Sequence, residues 1–146
     1  TAGLKQLLDY YSGAGPTRDK LRRFLRESLV YDGSRIPESV IEARFQASID
    51  PEIVAQPPLV RPKGLPKFRL VDFTRDPRLP ALKTPTLVLW GTEDKVNRPS
   101  GAHSLQRRMP HCDVYLFNRT GHWVQWERTD EFNAAVIAFA RQHLKG

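Results

Sequence analysis

The sequence predicts an α/β fold in which a helical segment precedes a strand–helix–strand–helix unit. Three observations predict it. Apolar residues recur at helical spacing through residues 1–56, a continuous apolar run closed by glycine fills 85–91, and a short apolar strand follows a helix at 113–117. Because a helix between two strands returns the chain to the end where the first strand began, the strands are expected to lie parallel in one sheet.

Residues 1–56 are predicted to form helices and no strand. The first helix has apolar residues at helical spacing and ends at a glycine-rich turn: Leu4, Leu7, Leu8 and Tyr11, then Gly13-Ala14-Gly15-Pro16. Thr17 is the expected N-cap of the second helix, with Asp19 facing the positive end of its dipole. Pro37 opens a third helix. Asp50-Pro51 closes it, and a short helix over 51–56 is expected to follow.

The middle of the chain is predicted to be a connector, because prolines at 57, 58, 62 and 66 disfavour both a sheet and a long helix. Beyond it, a strand is predicted at 86–90, a helix at 99–108, a strand at 113–117 and a last helix at 130–144 with Thr129 as its cap. The run at 86–90 is typical of a strand buried on both faces. Two strands alone cannot cover it, so we expect the rest of the sheet upstream of Thr1.

Composition argues against several classes of function. The net charge is +7, but the basic residues alternate with acidic ones on a helix face, which predicts no nucleic-acid partner. No apolar run is long enough to span a membrane, and no signal pattern opens the chain. The single cysteine, Cys112, excludes an internal disulfide and favours a reducing cytoplasm. His103, His111 and Cys112 lack metal-ligand spacing and no phosphate-binding loop occurs, so neither metal nor cofactor is expected.

Two polar residues follow the two predicted strands, at the sheet edge where open α/β sheets bind ligands. Asp94 comes just after the first strand, and His122 follows the second in Thr120-Gly121-His122-Trp123. Gly121 is expected to give the loop an unusual backbone conformation that exposes the imidazole. Each residue alone has a plainer explanation, because turn aspartates are common and many loop histidines are inert.

Together, Asp94 and His122 predict an acid–histidine pair. A carboxylate accepts a hydrogen bond from one ring nitrogen and leaves the other nitrogen free as a base. The acid precedes the histidine along the chain, as in the triad whose order is serine, aspartate, histidine.

Residues 84–144 resemble the C-terminal part of the α/β-hydrolase superfamily. More narrowly, they resemble the meta-cleavage product hydrolases, which hydrolyse carbon–carbon bonds in aromatic and steroid-ring breakdown. The resemblance rests on Gly-His-Trp-Val-Gln-Trp-Glu at 121–127 and the Asp-Glu-Phe-Asn that follows at 130–133. Residues 1–60 resemble the helical lid of the same group, through Tyr-Asp-Gly-Ser at 31–34 and Glu-Ala-Arg-Phe at 42–45.

The resemblance implies three parts and a division of roles. Residues 1–56 would be the lid, 57–80 a proline-rich connector, and 81–146 the last two strands of the hydrolase core with their helices. Asp94 would be the triad acid and His122 the general base. No metal or cofactor takes part in this scheme.

Four further residues would bind the substrate. Arg44 matches a lid arginine that meets the acidic dienoate end, and a guanidinium is suited to pairing with a carboxylate. Trp123 matches a tryptophan beside the catalytic histidine, and Leu25 and Leu29 fall on lid positions that line the apolar pocket. Plainer alternatives stay open, since Arg44 could be an exposed helix residue and Trp123 a packing residue.

The chain departs from the family pattern in one decisive respect, the nucleophile. No Gly-x-Ser-x-Gly occurs, so none of the serines sits in a nucleophile elbow. The family's oxyanion-hole loop also lies in the upstream half. We therefore expect sequence upstream of Thr1 to supply both, and this chain alone to be inactive. Asn97 stands where aliphatic residues are usual, which leaves the tail of the substrate open.

The function expected from these features is hydrolysis of a carbon–carbon bond in a 2-hydroxy-6-oxo-dienoate. An ester, lactone or epoxide hydrolase of the same fold is the alternative enzyme, and an epoxide hydrolase would have an aspartate in place of the serine. A non-catalytic module that associates with a partner is the third hypothesis. The expected partners are a small anionic substrate and the missing half of the fold, and a homo-oligomer stays open.

Overall fold

The computed structural model describes residues 1–59 and 72–143. Its helices and strands are α1 (Ala2–Asp9), α2 (Arg18–Phe24), α3 (Glu38–Ser48), α4 (Pro51–Ala55), β1 (Thr86–Gly91), α5 (Ser100–Arg108), β2 (Cys112–Phe117), α6 (Val124–Glu127) and α7 (Thr129–His143). Residues 60–71 of the predicted connector and Leu144 of the predicted last helix lie outside the described residues. Among the described residues, no helix has both the length and the apolar character needed to cross a membrane.

The helical segment, residues 1–56, follows the local signals in its sequence. The Thr17 hydroxyl accepts the Lys20 N–H at 3.2 Å and caps α2, as predicted. After Phe24 the helix widens into a π-helical turn, Leu25–Leu29, which the sequence did not predict because the apolar spacing also suits an α-helix. The apolar face of this helix is buried in the core of the segment, which we call the helical core: Tyr10, Leu21, Phe24, Leu25, Leu29, Val30, Ile36, Ile41, Phe45 and Val96.

The two strands form a parallel sheet, as predicted, with Thr86 paired to Cys112 and Gly91 paired to Phe117. The prediction that β1 is buried on both faces is only partly confirmed in this chain. Residues 86–90 of β1 are half-buried and only Gly91 is fully buried. One neighbouring strand and three contacting helices, α5, α6 and α7, leave both faces of β1 only partly covered.

The C-terminal helices differ from the prediction in two respects. The short helix α6 was not predicted, and Thr129 does not cap α7. Its hydroxyl instead donates to the carbonyl of Gln125 at 2.9 Å, because Thr129 already lies inside the helix. The apolar face of α7 stays open and lines a groove of about 530 Å³ against β1: Thr84, Pro85, Leu87, Leu89, Phe132, Val136, Phe139, Ala140 and His143.

Candidate functional site

The structure brings Asp94 and His122 into direct contact at the carboxyl ends of the two strands. The Oδ2 atom of Asp94 lies 2.8 Å from Nδ1 of His122. The aspartate side chain is only 3% exposed, whereas that of the histidine is 33% exposed. The carboxylate is therefore shielded from water while the imidazole is reachable. Because Nδ1 is engaged by Asp94, Nε2 is the nitrogen left for proton transfer.

The second oxygen of Asp94 is fixed by the backbone that follows it. Oδ1 accepts the N–H groups of Val96 and Asn97, each at 2.8 Å. Val96 is buried in the helical core, so the turn that supplies these donors is anchored. Asp94 is thus held as an acceptor for the imidazole, the arrangement that fixes one tautomer of the ring.

The histidine loop is shaped by close approach and not by the unusual conformation expected of Gly121. That expectation is wrong. Gly121 is not in the left-handed region, which Arg119 adopts instead with a φ of 52°. A Cβ on Gly121 would lie 2.7 Å from the Cα of Val30, too close for any side chain. The N–H of His122 donates to the carbonyl of Leu29 at 2.7 Å, so the loop is bonded to the end of the π-helical turn.

The loops that carry Asp94 and His122 are also bonded to each other. The N–H of Glu93 donates to the Thr120 carbonyl, and the N–H of Thr92 donates to the Phe117 carbonyl, both at 2.9 Å. Gly91 lies where the two loops cross, and a Cβ there would overlap the carbonyl oxygens of Thr120 and Gly121. The distance between acid and histidine is therefore set by this contact of backbone on backbone.

We expect Gly91→Ala to destabilise the chain by about 1–3 kcal/mol, the usual cost of forcing an extra methyl group into a packed site. Thermal denaturation followed by circular dichroism measures it. The matched control is Gly101→Ala, whose Cβ would meet only side-chain atoms of Trp90 and Thr74, at 3.1 Å or more. A melting temperature for Gly91→Ala no lower than that of the control would contradict the close contact described for this crossing.

The residues predicted to bind substrate lie near the pair in different ways. The guanidinium of Arg44, on α3, stacks over the ring of Trp123 at 4.6 Å from its centroid. It is exposed, while Trp123 is half-buried against the helical core. Arg44 therefore contacts the residue that directly follows His122 in the chain. Leu25 and Leu29 are 2% and 4% exposed within the helical core, and for all four residues the role in binding stays a prediction.

Sequence reasoning gave no role to Glu127, the most unusual carboxylate beside the site. It is buried, and its two oxygens accept backbone N–H groups from Gly121 and from Tyr31. Burial raises the pKa of its carboxyl group, and these two hydrogen bonds oppose that rise. The signal that could have marked it is its place at the end of the Gly-His-Trp-Val-Gln-Trp-Glu motif at 121–127.

Among the residues that the structure describes, no cluster of three or more histidine, cysteine, aspartate or glutamate side chains could hold a metal ion. A polar cavity of about 540 Å³ lies between α5 and the short turn at 73–75, and Asn97 is one of its lining residues. The side chains of Asp94 and His122 do not line it.

The chain is similar to known proteins over nearly its whole length. The family model described as the alpha/beta hydrolase fold matches residues 16–129. A 2-hydroxy-6-oxononadienedioate/2-hydroxy-6-oxononatrienedioate hydrolase of Burkholderia vietnamiensis is 31% identical, over 97% of this chain and 47% of its own length. A 2-hydroxy-6-oxo-6-phenylhexa-2,4-dienoate hydrolase of Comamonas testosteroni is 33% identical, over 96% and 47%. A solved meta-cleavage product hydrolase of Pseudomonas fluorescens is 27% identical and superposes with a TM-score of 0.75, over 97% of this chain and 50% of that one. The chain spans about half the length of the curated relatives it matches.

Proposed function

This chain belongs to the alpha/beta hydrolase fold family, and from that premise we propose that it forms the lid and the acid–histidine half of a carbon–carbon bond hydrolase. The substrate would be a 2-hydroxy-6-oxo-dienoate. The observation that carries the proposal is the contact between the buried Asp94 carboxylate and the half-exposed His122 imidazole at the strand ends. The names of the two curated relatives, both hydrolases of such compounds, support the choice of substrate.

In this proposal His122 moves protons and Asp94 orients it. Nε2 of His122 transfers protons first in the tautomerisation of the dienol to its keto form and then in the attack of water. The serine that takes part in this chemistry is supplied by the other half. Water adds across the bond that breaks, with its OH on the ketone carbon and its proton on the carbon that leaves. Asp94, bonded to Nδ1, stabilises the imidazolium that forms each time the ring takes a proton.

The stacked guanidinium of Arg44 supports an anionic substrate. A dienoate carries a carboxylate, and enclosing that charge without a partner would be costly. Arg44 holds a positive charge beside Trp123, the residue that follows His122. An arginine at this place would bind the carboxylate end of the substrate while the imidazole faces the reacting carbons.

The exposed apolar surface around β1 supports a second half. Within the described residues β1 pairs only with β2, so its other edge has no strand partner among them. The groove between β1 and α7 is apolar, and Val136 and Ile137 of α7 are 39% and 50% exposed. A further parallel strand with its packing elements would cover this surface, and the nucleophile would come with it.

The test is a fusion of the first half of the Burkholderia relative to this chain, called the hybrid below. We expect the hybrid to consume a 2-hydroxy-6-oxo-dienoate, followed by the loss of its absorbance, and the chain alone to leave it unchanged. A folded hybrid that cleaves p-nitrophenyl esters but not the dienoate would favour the ester-hydrolase alternative. A folded hybrid that cleaves neither would favour a non-catalytic module. The same assay on the chain with any coding sequence that precedes Thr1 guards against a mismatch between the two halves.

A further inference from the structure

The carboxylate of Glu127 joins two parts of the chain that are distant in sequence. Oε1 accepts the N–H of Gly121 at 2.8 Å, in the loop that carries the histidine. Oε2 accepts the N–H of Tyr31 at 2.7 Å, two residues beyond the end of the π-helical turn of the helical segment. One side chain therefore bridges the backbone of the histidine loop and the backbone of the segment that covers it.

Other contacts converge on the same place. The N–H of His122 donates to the carbonyl of Leu29, two residues before Tyr31, and the backbone of Val30 between them leaves no room for a Cβ on Gly121. The Nη1 group of Arg35 donates to the backbone carbonyl of Glu127 at 3.3 Å. The carboxylate thus lies at the centre of a small network of backbone hydrogen bonds. The imidazole of His122 extends from that network toward Asp94.

A carboxylate is well suited to this place and a neutral amide is not. Both N–H groups need an acceptor, and an ionised carboxyl group offers one oxygen to each of them. Glutamine offers one oxygen and one donor, so one of the two N–H groups would face another donor. The side chain of Glu127 is shielded from water, and no water would replace the lost acceptor without opening the contact.

We propose that Glu127 is a positioning residue, which ties the Gly121 peptide to the Tyr31 peptide and thereby holds the His122 imidazole against Asp94 beneath the lid. The catalytic part of this inference rests on the proposed function. If Glu127 acts in this way, the lid would help to align His122 as well as enclose the substrate. The histidine would then be aligned both by the lid and by Asp94. Loss of the tie would let the loop shift, and the hydrogen bond between His122 and Asp94 would be made for less of the time.

The test uses Glu127→Gln, with Glu131→Gln as the matched control. Glu131 is exposed on α7 and pairs with Arg128. The control therefore removes a carboxylate from the same region without changing the hydrogen-bond network around Glu127. The readout in the chain is the rate at which the Nδ1 proton of His122, shared with Asp94, exchanges with water in proton NMR. We expect Glu127→Gln to speed this exchange by about fivefold to tenfold, the effect of one lost hydrogen bond, and the control to leave it unchanged.

The second readout is activity in the hybrid, measured well below the melting temperature of each variant. Because every substrate needs the base, kcat should fall by about tenfold to a hundredfold on the dienoate and on a neutral ester alike. Unchanged proton exchange in Glu127→Gln, whatever its melting temperature, would overturn the proposal and leave Glu127 a structural residue. Faster exchange in a folded hybrid that is inactive even without the substitution would instead uphold the positioning and reject the proposed function. Should Glu127→Gln fail to fold, Glu127→Asp keeps the charge but is too short to reach both N–H groups, and the same exchange measurement decides.

Discussion

Replacing His122 with alanine is expected to abolish turnover in the hybrid while leaving its fold intact. A positioned general base contributes roughly 10²–10⁴-fold, and this histidine would serve both the tautomerisation and the attack of water. The fold should survive because the imidazole is 33% exposed and Oδ1 of Asp94 keeps its two backbone donors. The measurements are kcat from the dienoate absorbance and the melting temperature from circular dichroism.

The matched control for that experiment is His103→Ala. His103 is exposed on α5 and takes no part in the contact between Asp94 and His122, so its removal should change neither activity nor stability. Activity of His122→Ala within about threefold of the parent, at an unchanged melting temperature, is far below the effect of a general base and would remove His122 from the mechanism.

The acid–histidine pair could be predicted because a general rule of topology brings it together. Parallel strands present their carboxyl ends at one edge of a sheet, so residues that follow two adjacent strands become neighbours whatever lies between them. Asp94 and His122 are separated by a whole helix and a strand, yet they meet at 2.8 Å. The cap of α2 was equally predictable, since the Thr17 hydroxyl accepts a backbone N–H only three residues away, whereas the predicted cap of α7 was wrong because Thr129 lies inside that helix.

The hydrogen-bond network around Glu127 could not be predicted, because no local sequence pattern encodes it. Its contact with Tyr31 joins residues 96 positions apart, and although each residue belongs to a motif that carries the family resemblance, neither motif indicates that the two meet. The same is true of Gly121, whose lack of a side chain is required by the backbone of Val30 and not by its own conformation. The π-helical turn is a further case, since an apolar repeat fixes the buried face of a helix but not the number of residues in each turn.

Replacing Arg44 with glutamine is expected to separate the two enzyme hypotheses. A dienoate is anionic and a simple ester need not be, so only the first gains from a guanidinium at the site. In the hybrid, the transition-state stabilisation obtained from kcat/KM for the dienoate should fall by about 2–4 kcal/mol. This is the usual loss when one partner of an enclosed charge pair is truncated. Arg44 is exposed in this chain, so the lower end of that range is expected unless the second half covers it.

The loss on a neutral p-nitrophenyl ester should be much smaller, and its size has a separate cause. The substitution also removes the stacking of Arg44 on Trp123, which is worth about 0.5–1 kcal/mol at an exposed site and acts on both substrates alike. The difference between the loss on the dienoate and the loss on the ester therefore gives the contribution of the charge pair between Arg44 and the substrate carboxylate. Arg18→Gln is the matched control, because Arg18 stacks on Phe45 at 4.3 Å in the same way but pairs with Glu42. Equal losses on the two substrates, or no loss on the dienoate, would mean that Arg44 packs without binding a carboxylate, and the ester-hydrolase hypothesis would then be the better one.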